Sequence, residues 1–186
     1  MSVLLTASLS AALPLSAASH VDVVKMRTEN RVNPLGIGTS TPRFSWQITS
    51  DRKGVVQTSY QILVASSREK LDRNEADLWD SGERNSDEQL WIPYQGKALL
   101  SGAQAYWKVR ITTNKGKSEW TEPQLFTIGL LGETKWSGTW IGLEDLQPGE
   151  QKGMHTRLAA RYIRKDFAAK GKVKRALAYV AGLGVY

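Results

Sequence analysis

RTENRVNPLGIGTSTPRFSW, residues 27–46, decides how this chain is read. Asn33-Pro34 favours the start of a turn, and Gly36 and Gly38 permit positive φ on either side of Ile37. Pro42 then fixes φ just ahead of an alternating run, Phe44-Ser45-Trp46-Gln47-Ile48. A loop set by backbone chemistry therefore leads into a strand with an aromatic anchor, the arrangement expected at the first core strand of a β-sandwich. Working outward, strand-like segments recur at 21–28, 44–49, 60–65, 78–80, 89–92, 105–112 and 124–128, separated by clusters of Gly, Pro, Asn, Asp and Ser. Seven short strands at this spacing predict an all-β, fibronectin type III-like β-sandwich over residues 20–132. One helical turn interrupts it at 67–72, capped by Ser66 or Ser67.

Within the sandwich the period-two pattern is clearest at 106–112. Tyr106, Lys108, Arg110 and Thr112 alternate with Trp107, Val109 and Ile111, so the strand's two faces meet different environments. Asn114-Lys115-Gly116-Lys117 then reverses the chain. The predicted core contains Trp46, Tyr60, Ile62, Val64, Trp107, Val109 and Phe126. Tyr106, placed at the start of a late strand, is expected to bond back to nearby backbone as a tyrosine corner.

Together with SYQILVAS (59–66), DLWDSG (77–82), AYWKVRITTNKGKSEWTEP (105–123) and WIG (140–142), the 27–46 stretch closely resembles the N-terminal, non-catalytic part of bacterial α-L-rhamnosidases of glycoside hydrolase family 78. The resemblance covers roughly residues 25–186. It implies a modular parent enzyme that removes terminal α-L-rhamnose from glycans or glycosides by inversion. The acidic catalytic residues of such a parent lie in an (α/α)6 barrel that follows the β-modules. On this reading the chain is an inactive scaffold fragment whose partners are the remaining domains of the parent and, through the parent, rhamnose-containing glycans. The alternative is a free-standing fibronectin-like binding or adhesion module.

The two ends of the chain need separate readings. Residues 1–19, MSVLLTASLSAALPLSAAS, carry no charge and pair an apolar run with the small residues Ser16-Ala17-Ala18, as a secretory leader does, although no basic residue opens the segment. A disordered tail is the other possibility. A leader implies a periplasmic or secreted protein, and Pro14 argues against a membrane span. Near Trp136 a second unit is expected to begin, with residues 133–186 forming the start of another, truncated β-sandwich. Its strand-like runs are 161–167 and 172–184, joined by a turn. Such a part-built sandwich is expected to expose a strand edge and apolar surface.

Charge is uneven. The net charge of +7 arises from residues 151–186, which carry +8, whereas residues 1–150 carry −1. Basic clusters mark nucleic-acid surfaces in other proteins, but here they lie within strand-like runs, and a solvated strand face explains them without nucleic acid. The chain has no cysteine, so disulfides, thiol catalysis and thiolate-bound metals are excluded.

No catalytic, cofactor or metal residue is assigned. Glu69, Asp72, Glu75, Asp77 and Asp80 occupy a polar excursion and Asp87-Glu88 follows a turn, so they read as solvated charges rather than the carboxylate pair of a glycosidase. His20 and His155 stand far apart with no second ligand at metal spacing. The NPLGIG turn lacks the strand-to-helix setting of a phosphate loop. Of the seven tryptophans, Trp46 and Trp107 are core candidates. Trp79, Trp91, Trp120, Trp136 and Trp140 lie near strand ends or linkers, where they could pack module against module or stack on a sugar.

Overall fold

The computed structural model describes residues 21–132, 136–141, 149 and 162–182. In chain order the elements are β1 (Val21–Thr28), β2 (Arg43–Ser50), β3 (Gln57–Ala65), α1 (Arg68–Asp72), β4 (Trp79–Asp80), β5 (Arg84–Asn85), β6 (Ile92–Pro93), β7 (Gln104–Thr113), β8 (Gly116–Lys117) and β9 (Gln124–Thr127). A three-stranded sheet, β1-β2-β6, faces a larger one ordered β4-β3-β7-β8, in which β5 also pairs with β3 and β9 with β7. All named pairings are antiparallel. Among the described residues the fold is thus all-β apart from one helical turn, as the alternating segments of 21–128 require.

The core follows from the inward positions of four strands. Phe44 and Trp46 come from β2, Ile62 and Val64 from β3, Trp107, Val109 and Ile111 from β7, and Phe126 from β9; all are buried. Phe44 is central, its ring centroid 4.4 Å from Trp107 and 5.8 Å from Phe126. Trp46 meets Tyr60 edge-on at 5.3 Å and donates its indole N–H to Gln57 Oε1 at 3.0 Å. The Gln57 amide in turn donates to the carbonyls of Ser86 and Glu88, so a buried polar side chain is satisfied at both ends. Every one of the seven predicted core residues is buried.

The NPLGIG loop has a role its composition only hints at. β9 would present an open edge, but residues 33–37 run along it. Leu125 N donates to Asn33 Oδ1, Thr127 N to Pro34 O, Ile37 N to Thr127 O and Gly129 N to Ile37 O, at 2.8–3.0 Å. Gly36 holds φ at +72°, and its amide donates to the Thr127 hydroxyl. The loop serves as a short substitute strand and stitches the β1–β2 connection onto the opposite sheet. Further along the same flank of β7, Val109 N and Ile111 N donate to the hydroxyls of Thr121 and Ser118, each at 3.0 Å. Side-chain oxygens there replace missing carbonyls between β8 and β9.

α1 is capped by Ser67, whose hydroxyl accepts from Lys70 N. It is tied to the sheet through Asp77, which accepts from Ser66 N at 2.9 Å, Ser66 Oγ at 2.7 Å and Lys70 Nζ at 2.6 Å. Burial by itself raises the Asp77 carboxyl, but these hydrogen bonds outweigh it and bring the pKa from 3.8 down to about 2. A depressed folded-state pKa stabilises the fold above the unfolded value, and that contribution fades as pH falls toward the folded one. Asp77→Asn should therefore flatten the dependence of chemical-denaturation midpoint on pH between 3.8 and about 2. An acid-side slope identical to that of the unaltered chain would show that Asp77 is not the group responsible.

Three expectations need correction. Tyr106 is not a corner tyrosine: it faces α1, packs against the Leu63, Ala65 and Leu71 cluster, and its hydroxyl accepts from the Gln104 side chain. Tyr94 does the tethering, donating to Lys97 O at 2.7 Å with Leu78 O at 3.3 Å, and burial pushes its pKa up to about 12. Trp79 is not a peripheral indole but part of the core, stacked 6.3 Å from Phe44. Finally, residues 162–182 contain no strand among the described residues, and Tyr162, Phe167 and Val180 are 97%, 88% and 69% exposed. These described residues are unpaired, and alternation yields a strand only where a neighbouring strand takes its N–H and C=O groups. By contacts the chain divides into units 1–136 and 137–186. The leader at 1–19, His20 and His155 lie outside the described residues.

Candidate functional site

At the start of β2, Arg43 and Glu29 form the best-defined charged pair of the sandwich. Glu29 accepts from Arg43 N at 2.8 Å, Nε at 3.0 Å and Nη2 at 2.7 Å. Hydrogen bonds from Arg43 hold the Glu29 carboxyl below the ordinary carboxylate range. The pair borders an open cleft of about 610 Å³ that includes Arg31, Pro34, Leu35, Gly36 and Thr41. Four left-handed non-glycine residues, Glu29, Asn30, Asn33 and Trp91, belong to this end of the sandwich. Trp91 lies beneath the Arg43 guanidinium, 4.2 Å from ring centroid to Cζ. The 27–46 stretch therefore builds both the edge cover of β9 and this cleft.

The opposite sheet carries a second aromatic–cation cluster. Trp120 is overlaid by Lys108 at 5.2 Å and Arg110 at 4.4 Å. Lys108 donates to Leu71 O and Asn74 Oδ1, closing the C-terminal end of α1, and burial lowers its pKa. Arg110 reaches Gln61 Oε1 at 3.1 Å, and Gln61 reaches Asp80 at 2.9 Å. These are packing contacts of an outer sheet face.

Of the seven acidic residues weighed for catalysis, Glu75, Asp77 and Asp80 make side-chain contacts within the sandwich. Glu75 pairs with Arg73, Asp77 with Lys70, and Asp80 with Gln61 and the Gly82 amide. Glu83 accepts from Ser59 and Thr112, and Glu122 pairs with Arg68. Among the described residues no group of three His, Cys, Asp or Glu side chains is placed to hold a metal ion. No described helix is long and apolar enough to cross a membrane. Trp46 and Trp107 are buried as expected. Of the other five indoles, Trp91, Trp136 and Trp140 are the exposed ones, at 42%, 48% and 73%.

Residues 23–132 match the profile of the Rha78A-like, N-terminal immunoglobulin domain. The chain belongs to this family. An α-L-rhamnosidase of Formosa agariphila is 34% identical to it over 183 residues, covering 90% of the chain but 19% of that relative. Among solved structures, the α-L-rhamnosidase of Streptomyces avermitilis complexed with L-rhamnose superposes with a TM-score of 0.62 at 36% identity, over 66% of this chain and 12% of that one. The α-L-rhamnosidase from Dictyoglumus thermophilum gives 0.62 at 35% identity, over 66% and 14%. A Rha78A-like immunoglobulin domain is thus what the lead-in loop and the two facing sheets make up. The chain spans about a fifth of the length of the curated relatives it matches.

Proposed function

We propose that this chain is the N-terminal, non-catalytic scaffold of an α-L-rhamnosidase, whose parent enzyme hydrolyses terminal α-L-rhamnose from glycans or glycosides with carboxylates located in other domains. The observation that carries the reading is the family match over residues 23–132 in a chain that covers 19% of an α-L-rhamnosidase relative. The engagement of Glu29, Glu75, Asp77 and Glu83 in the sandwich's own hydrogen bonds supports it. In this proposal residues 1–19 are a leader directing the protein out of the cytoplasm, 20–132 are the sandwich, and 133–186 begin the next β-domain. Its partners are the later domains of the parent chain.

Purified chain mixed with an aryl α-L-rhamnoside should give no turnover above a mock preparation. Hydrolysis that disappears on replacing one of this chain's own acidic residues by its amide would overturn the non-catalytic assignment.

A further inference from the structure

On the three-stranded sheet, β2 turns Arg43, Ser45, Gln47 and Thr49 away from the core, because Phe44, Trp46 and Ile48 occupy its inward positions. The segment beside this row carries one residue too many. Phe44 pairs with Ile92, yet the Trp46 amide donates to Gln89 O, so Leu90 and Trp91 share the span opposite Ser45. Trp91 absorbs the excess with φ of +59°, a left-handed conformation that a bulky residue seldom adopts. Three contacts hold it there. Its amide donates to Ser45 Oγ at 3.0 Å, Arg43 lies across its ring, and Glu29 fixes Arg43.

The indole nevertheless remains 42% exposed. The guanidinium thus covers the ring only in part. A strained backbone that holds an apolar ring in water, in a fixed pose, is organised for a ligand in advance. The surroundings define the ligand's chemistry. Glu29 cancels the charge of Arg43, which disfavours an anion, and engages Nε and Nη2 of the guanidinium, so that Nη1 is the donor on its other edge. Gln47, exposed two residues beyond Ser45 on the same face, supplies an amide with both donor and acceptor.

We propose that Trp91 is the platform of a saccharide subsite on the outer face of this sheet, taking one neutral pyranose ring. The ring's C–H face would stack on the electron-rich indole, and its hydroxyls would bond to Arg43 and Gln47. The choice of an α-L-rhamnosyl ring as first probe rests on the function proposed above; the platform itself does not.

The test follows the indole N–H signals of the labelled chain by NMR while methyl α-L-rhamnoside or methyl β-D-glucoside is added. Trp91→Gly identifies the Trp91 signal and relieves the left-handed strain, so the fold is kept, as an unchanged melting temperature would verify. A saturable shift of the Trp91 signal, with binding heat that vanishes in Trp91→Gly and falls about tenfold in Arg43→Lys, is the expected result. A shift with the rhamnoside alone ties the subsite to rhamnosyl glycans. With the glucoside alone, the subsite stands and its rhamnosyl assignment falls. No Trp91 shift with either sugar, or equal binding by Trp91→Gly, overturns the subsite and leaves the scaffold reading to its own turnover assay.

Discussion

Trp107→Ala should unfold the sandwich or leave it barely folded. The side chain is wholly buried, its strand pairs with β3 on one side and β9 on the other, and its ring lies 4.4 Å from that of Phe44. Truncating a buried tryptophan costs about 3–5 kcal/mol, against a total stability of roughly 5–15 kcal/mol for a domain. Trp107→Phe should cost much less, and not only because it leaves a smaller hole. The Trp107 indole N–H is buried with no hydrogen-bond partner among the described residues, and phenylalanine removes that orphan donor, a penalty of about 1–3 kcal/mol. Urea unfolding of the three proteins, followed by circular dichroism, decides the matter. A cooperative transition in Trp107→Ala at an unshifted midpoint would mean that the core is centred elsewhere.

Gly96→Ala should be nearly as damaging, although it adds a single methyl group in a loop. A Cβ at this position would lie 2.4 Å from Trp79 Cβ, 2.5 Å from Leu78 O and 2.6 Å from Tyr94 Oη. Two of these neighbours are fixed by the backbone of β4 and its approach, so the 93–99 loop would have to move. The Tyr94 tether to Lys97 O and the Lys97 N bond to Leu78 O both lie in its path. Overpacking of this kind costs about 1–3 kcal/mol and occasionally more. It should carry a second signature: Tyr94, raised to about 12 by burial, should ionise closer to an ordinary tyrosine once the loop lifts. Gly38→Ala, which meets nothing within 4 Å, serves as the control. Equal melting temperatures for the two variants, with no change in the tyrosinate titration, would contradict the close approach of Gly96 to β4.

How much of this was legible in the sequence depended on whether the signal was local. Turn residues and alternation located β1, β2, β3, β7 and β9 to within a few residues, because strand and turn chemistry act over neighbouring positions. Of the two-residue strands, β4 and β6 fall at or beside apolar runs that mark them, whereas β5 and β8 are polar and merge with loop and turn. Gly96 looked like any loop glycine; what makes it critical is Trp79, brought against it by the fold. The same holds for the tyrosines. Tyr106 has the expected place in sequence, but Tyr94 has the backbone carbonyls within reach. The runs at 162–167 and 172–182 show the converse, an alternating pattern that is not paired into a strand among the described residues. The Trp91 platform depends on one surplus residue beside β2, a register property that no single-sequence pattern carries.

The cover that residues 33–37 lay along β9 bears on how copies of this protein behave when crowded. A bare terminal strand recruits strands from neighbouring molecules, and sandwiches joined in series within one polypeptide are particularly exposed to such exchange because identical or similar neighbours are always at hand. Here the vulnerable strand is occupied from within by its own chain. An outer strand of the smaller sheet, β1, is broken between Val24 and Arg27, where Lys25 turns left-handed, so it offers no straight template either. The loop that marks this sandwich in the sequence thus also closes the β9 edge to strands from a neighbouring copy.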